Sequence, residues 1–257
     1  MNKILSVIPV LLLTMSMAFQ VNLEPSRIDV ALKAGATVRK TLTLSNTDKD
    51  PVQVKVYLND WTVKKNQKVF LEPGTTAYSL VSAVRLFPSS FVLKGGESKE
   101  VAMTMTSTGV ETGGQYGVVF FETQPISKTK GSGVMMGGRI GCLVGKEIEG
   151  TQKKVYQLTG YKSSLSAKKV GFEFTLSSGS NILLHPIGTL VIFDNEAGNV
   201  VYKETLSDIT VFPGDSTTYK KELILPTPLK SSKGVSVLLT LDFGGDELVM
   251  KELKSIE

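Results

Sequence analysis

Apolar residues recur at every second position through most of this chain. In RIDVALKAG, Ile28, Val30 and Leu32 share one parity; in VRKTLTLSN, Val38, Leu42 and Leu44 do. In PVQVKVYL the set is Val52, Val54, Val56 and Leu58. Successive side chains of a strand point to opposite faces, so this period predicts strands buried on one side. Clusters of Gly, Asn, Asp and Pro bound each run, as turn residues do. No segment carries a convincing helical period, and short strands at close spacing predict an all-β, sandwich architecture. AGNVV and FGGDELVM add hairpin turns.

One stretch breaks the rhythm in an informative way. RLFPSSFVLKGGESKEVAMTM, residues 85–105, interrupts an apolar run at Pro88 and restarts it after Lys94-Gly95-Gly96. Proline cannot donate a ladder hydrogen bond, so the chain is expected to leave one strand pairing there and enter another. The Lys-Gly-Gly turn then leads into a strand carrying Val101, Met103 and Met105. Arg85 is expected to face outward on the strand before the proline.

A second change falls near residues 125–150. PISKTKGSGVMMGG is rich in Gly, Ser and Lys and reads as a long loop running into a strand. That strand is expected over Val134 to Val144, with Val134, Met136, Gly138, Ile140, Cys142 and Val144 on one face. EIEGTQ, residues 147–152, reads as an interdomain joint, after which alternation resumes in KVYQLTGY and VGFEFTLSS. The two halves, residues 19–147 and 148–257, have similar strand content without an exact repeat.

Composition narrows the setting. The first 18 residues combine Lys3, an apolar stretch from Ile4 to Met15, and the small-x-small sequence Ser16-Met17-Ala18, the form of a cleaved secretory leader. The apolar run is short of the ~20 residues a spanning helix needs, and no later segment reaches that length. A periplasmic or otherwise secreted location without stable membrane insertion is the expectation. The single cysteine, Cys142, excludes an intramolecular disulfide. Loss of the leader removes one lysine, so 28 basic residues face 24 acidic ones. This mild, dispersed excess marks no nucleic-acid site.

Residue-level chemistry is absent. His185 is the only histidine, no G-x-S-x-G elbow occurs, and one histidine with one cysteine does not make the usual zinc site. Glycines 95–96 and 137–138 lack the strand–loop–helix context of a phosphate cradle. FDNEAGN has the composition of a hairpin turn and lacks the spacing of a calcium loop. No cofactor, metal or catalytic activity is implied.

The ordered segments SRIDV, LSNTDKDPVQVKVYLNDW, VRLFPSSFVLKGGESKEVAM and GGQYGVVFFET together resemble the periplasmic pilus-assembly chaperones of the PapD type and their relatives. SSGSNILLHPIGTLVIFDNEAGNVV, VFPGDSTTYKKEL and VSVLLTLDFGGDELV resemble Ig-like second domains of broader chaperone-like envelope proteins. The resemblance implies two Ig-like β-sandwich domains set at an angle, with a cleft between them. It also implies a protein partner, a pilus or envelope subunit, held by addition of the last first-domain strand to its edge. The even positions Val134, Met136, Ile140, Cys142 and Val144 would then serve the partner, or else their own core. In the family two cleft cations hold the partner's terminal carboxylate. Arg27 matches the first; Gly141 stands where the second, a lysine, is expected, and Arg139 two residues earlier is its candidate replacement. The two arginines read equally as solvated charges guarding a sheet edge. The competing class is a structural or adhesion protein of the envelope using Ig-like domains as interaction modules. A carbohydrate-binding module would draw on Trp61 and Tyr57, which read more simply as packed aromatics.

Overall fold

A computed structural model describes residues 21–126, 137–229, 234–245 and 248–255. The leader, and with it Val134 and Met136, lies outside the described residues. What is described is almost entirely strand, with one short 3-10 turn at Val81–Ala83.

The first domain is a two-layer sandwich. One sheet has the order β1 (Val21–Glu24), β3 (Thr37–Asn46), β8 (Ser98–Thr106), β6 (Val84–Phe87). The other has the order β2 (Arg27–Leu32), β10 (Gly138–Ile148), β9 (Gly114–Pro125), β4 (Val52–Lys64), β5 (Gln67–Leu71), with β7 (Ser90–Leu93) also on β4. β2 runs parallel to β10, and the remaining pairs in both sheets are antiparallel. The residues that alternate in the sequence meet in one core: Ile28 and Leu32, Leu42 and Leu44, Val54 and Val56, Val101, Met103 and Met105.

The crossover expected at Pro88 is present. β6 pairs with β8 in one sheet and β7 with β4 in the other, with the cis Phe87–Pro88 bond between them. Arg85 is exposed, as expected. Lys94 O accepts from Glu97 N–H at 3.1 Å across the turn. Gly95 is required there because a Cβ would stand 2.2 Å from the Lys49 carbonyl oxygen. The cis Glu24–Pro25 bond plays the same topological part at the start of the domain, where the chain leaves β3 for β10.

The second domain is one seven-stranded sheet, folded back on itself. Its order is β14 (Asn199–Leu206), β13 (Ile187–Asp194), β16 (Val235–Asp242), β17 (Leu248–Ser255), β11 (Tyr156–Leu165), β12 (Lys169–Ser178), β15 (Ser216–Ile224). β17 joins β11 only through Lys162–Ser163 against Lys254–Ser255, which lets the two halves face each other. Phe172, Phe174, Leu176 and Tyr219 from one half pack with Leu190, Ile192, Leu239 and Leu241 from the other. FDNEAGN is the expected hairpin turn: Asp194 accepts from the N–H groups of Gly198, Glu196 and Ala197.

Candidate partner-binding edge and cleft

β10 is the strand on which the candidate site residues converge, and its pairing is uneven. β9 pairs with it from Gly138 to Glu147, whereas β2 covers only Leu143 to Ile148. Leu143 N–H donates to Ser26 O at 3.0 Å and Glu149 N–H to Leu32 O at 2.9 Å, so odd-numbered backbone groups point toward β2. Ile148 N–H donates to Gly113 O on the β9 side at 2.9 Å, as an even-numbered residue should. By the same alternation, the N–H and C=O groups of Arg139 and Gly141 project from an edge that no described strand pairs. β1 runs beside this edge, but its ladder belongs to β3.

Side-chain parity on β10 is equally clear. Cys142 and Val144 are buried in the first-domain core, and Ile140 packs against it. The described even positions therefore serve their own sandwich. Strand β10 starts at Gly138 and continues four residues past Val144, to Ile148. Burial drives the Cys142 thiol up to about 12, with a smaller contribution from the Asp29 carboxylate.

Lys146 has the same parity as these core residues and no exposed surface at all. Its ammonium donates to Glu111 Oε2 at 2.8 Å and to the Thr106 carbonyl at 3.2 Å. Burial alone would raise the Glu111 carboxyl, but hydrogen bonds from Lys146, Ser107 and the Thr108 N–H outweigh it and hold the group below its usual range. Sequence reasoning passed over Lys146, although a lysine in phase with Ile140, Cys142 and Val144 is a visible signal of a buried charge.

The outward face of β10 carries Arg139, Gly141, Leu143, Gly145 and Glu147. A Cβ on Gly141 would stand 2.8 Å from the Phe120 ring and 2.9 Å from Val118. Phe120 thus occupies the space that a side chain at position 141 would need. The Arg139 guanidinium lies 4.1 Å from the Phe120 ring centroid and 5.8 Å from that of Phe70, a cation–π arrangement. Tyr57 donates to Glu122 at 2.9 Å beside it.

Arg27 sits elsewhere. In register it opposes Leu143, four residues from Arg139, a separation of roughly 13 Å along the strand. It is ion-paired with Asp29 through two contacts, Nε to Oδ2 and Nη2 to Oδ1. It lines a cleft of about 310 Å³ together with Asp29, Tyr116, Gly145, Glu147, Leu183 and His185. The two arginines share a sheet face without sharing a site. Two of these wall residues, Leu183 and His185, come from the second domain, so the cleft is interdomain. The single histidine stands in it because the segment before β13 folds against the first domain, a proximity no local sequence pattern reports.

Tyr116 joins the two sides of this cleft. Its hydroxyl accepts from Leu183 N–H at 2.7 Å and donates to Glu147 at 3.1 Å. Burial, the largest influence, raises its pKa well above that of a free phenol. Gly145 leaves room: a Cβ there would stand 3.3 Å from the Tyr116 ring and 2.6 Å from Asp29. Trp61 is buried against Phe212, so it presents no open ring face to a sugar. Among the described residues no group of three or more His, Cys, Asp or Glu is placed to hold a metal ion, and no helix is long and apolar enough to cross a membrane.

No protein-family model matches the sequence, and neither does any curated protein. Solved structures match along nearly the whole chain. The class 5 fimbriae chaperone CfaA has a TM-score of 0.50 at 12% identity, covering 92% of this chain and 100% of that one. The E. coli chaperone DraB reaches 0.45 at 12% identity, covering 92% and 97%. A chain of the Salmonella enterica complex of SafA pilin with the SafB chaperone reaches 0.49 at 13%, covering 93% and 98%. At such identities the likeness is one of fold. The chain resembles the PapD-type pilus chaperones in structure, sharing their two-domain, all-β architecture of immunoglobulin-like sandwiches.

Proposed function

We propose that the protein is a non-catalytic, chaperone-like protein of the periplasm that binds a pilus or envelope subunit by β-strand addition. The observation that carries this reading is the edge of β10 at Gly138–Cys142, which no described strand covers. An incoming strand would take up the free backbone groups of Arg139 and Gly141 in line with β2, completing the sheet on that side. The fold shared with a fimbriae chaperone supports the reading. Ile140, Cys142 and Val144 are taken up by the first-domain core, so of the alternating positions Val134 and Met136, outside the described residues, would carry the apolar part of the contact. Arg27 and Arg139 are separate polar contacts at two points along the partner, not a paired clamp on one carboxylate.

The distinguishing experiment is substitution at Arg139, whose N–H faces the open edge. Arg139→Ala removes the side chain and keeps the N–H; Arg139→Pro removes both without breaking the β9 ladder. Both mature variants are crosslinked in the envelope, and co-purified protein is quantified against wild type. Strand addition requires capture by the alanine variant to exceed that of the proline variant at least tenfold. Equal capture by both would reject it in favour of a structural or adhesion role through side-chain surfaces.

A further inference from the structure

Phe212 belongs to the second domain, yet its ring packs among aromatic rings of the first. It lies in a turn anchored by Asp215 N–H to Phe212 O at 3.0 Å, directly after the Leu184–Val211 bridge. The ring is only 1% exposed. It stacks on Tyr78 at 4.5 Å, meets Trp61 edge-on at 4.8 Å, and meets Tyr116 edge-on at 5.8 Å. These three come from different first-domain segments: β4, the loop before the 3-10 turn, and β9.

The socket is held by hydrogen bonds within the first domain. The Asp60 carboxylate, fully buried, accepts from Thr76 N–H, the Thr76 hydroxyl and the Ser79 hydroxyl, at 2.7–2.9 Å. That fixes the loop carrying Tyr78, whose hydroxyl donates to Thr62 and whose carbonyl accepts from Tyr116 N–H at 2.8 Å. Tyr116 is at once a wall of the socket and a wall of the interdomain cleft. Gly114 N–H donates to Asn181 O at 2.9 Å, adding a direct backbone bond between the domains.

We propose that Phe212 is the positioning residue for partner capture: by filling this socket it locks the interdomain angle and holds the cleft in its binding geometry. Ordering the two domains in advance spares that cost at the moment of binding. The proposal rests on the strand-addition reading for its consequence, but its structural content is independent of it.

The test uses nitroxide labels on the mature chain at Thr41→Cys in the first domain and Lys203→Cys in the second, both exposed. Cys142 is buried and escapes labelling. Pulsed electron paramagnetic resonance should give one narrow distance distribution. Phe212→Ala should broaden it at least twofold with both domains still folded, and Phe212→Leu should restore much of the narrowness. Leu239→Ala, a core truncation within the second domain, should lower the unfolding temperature and leave the distribution narrow. Capture of the envelope partner, measured in parallel, should fall at least tenfold for Phe212→Ala and not for Leu239→Ala. A distribution already broad in wild type, or unchanged by Phe212→Ala, overturns the lock. A broadened distribution with undiminished capture overturns the positioning role. If wild type itself captures nothing while Phe212→Ala broadens the distribution, the lock stands and the strand-addition reading fails.

Discussion

Replacing Glu111 with glutamine isolates the energetic weight of a charge buried inside the first sandwich. Lys146 has no exposed surface, and its ammonium has two acceptors: the Glu111 carboxylate at 2.8 Å and the Thr106 carbonyl at 3.2 Å. Glutamine keeps the shape and an acceptor oxygen but removes the counter-charge. Removing one partner of a fully buried pair costs about 3–5 kcal/mol, because the other charge stays buried without compensation; the Glu111 side chain is 21% exposed, which puts this pair at the lower end, about 3 kcal/mol. For a domain of this size each kcal/mol shifts the midpoint by roughly 3–5 °C, so Glu111→Gln should unfold roughly 9–15 °C lower. Removing both charges, as Glu111→Leu with Lys146→Met, should recover most of that loss, since an apolar replacement of a buried pair is often neutral or stabilising. Acid should act through the same group. Its folded pKa lies below the ordinary glutamate value of 4.5, so the unfolded chain binds this proton more readily. The stabilisation is therefore fully present above pH 4.5 and is lost as pH falls through the lower folded value. Calorimetry of wild type, the single variant and the double variant from pH 7 to 3 reads all of this. A Glu111→Gln loss under about 1 kcal/mol, the scale of an exposed pair, would refute the reasoning. So would a double variant as unstable as the single one.

Two further outcomes follow from contacts around β10. Gly141→Lys should destabilise the first domain by about 1–3 kcal/mol, since its Cβ overlaps the Phe120 ring and displaces the platform under Arg139. Denaturant unfolding checks it, and an unchanged midpoint would show that the ring moves aside freely. Cys142 should resist a thiol-specific reagent in the native protein at pH 8, because burial drives its thiol up to about 12. Reaction should become stoichiometric in denaturant; prompt native reaction would mean that the β10 side of the core opens readily.

Much of the first domain was legible because period-two alternation responds to one physical fact, the burial of one strand face. Val54, Val56, Val101, Met103 and Met105 all fell inside on that ground. Pro88 marked the sheet switch because a missing N–H is a local property. Pro25 sits at an equivalent switch and went unread, since its flanking runs, VNLE and RIDVAL, are short. The site was less legible. Arg27 and Arg139 share a face by parity, but their separation depends on the β2–β10 register, which only the folded sheet sets. The Trp61, Tyr78, Tyr116 and Phe212 cluster draws on residues far apart in sequence, and no pattern along the chain brings them together. His185 entered the cleft for the same reason. Lys146 is different: its parity placed it in the core, and only the habit of assigning lysine to solvent hid it.

Strand addition requires the edge at the start of β10, which no described strand pairs, to be open. Residue-resolved amide hydrogen exchange measures it directly, on the protein from residue 19 onward alone and in complex with whatever protein co-purifies with it. In the free protein, Arg139 and Gly141 should exchange at least a hundredfold faster than Ile140 and Cys142, whose N–H groups face β9. In the complex, Arg139 and Gly141 should become as protected as their neighbours. Equal protection of all four amides in the free protein, or fast exchange at Arg139 and Gly141 that persists in the complex, would contradict strand addition at this edge.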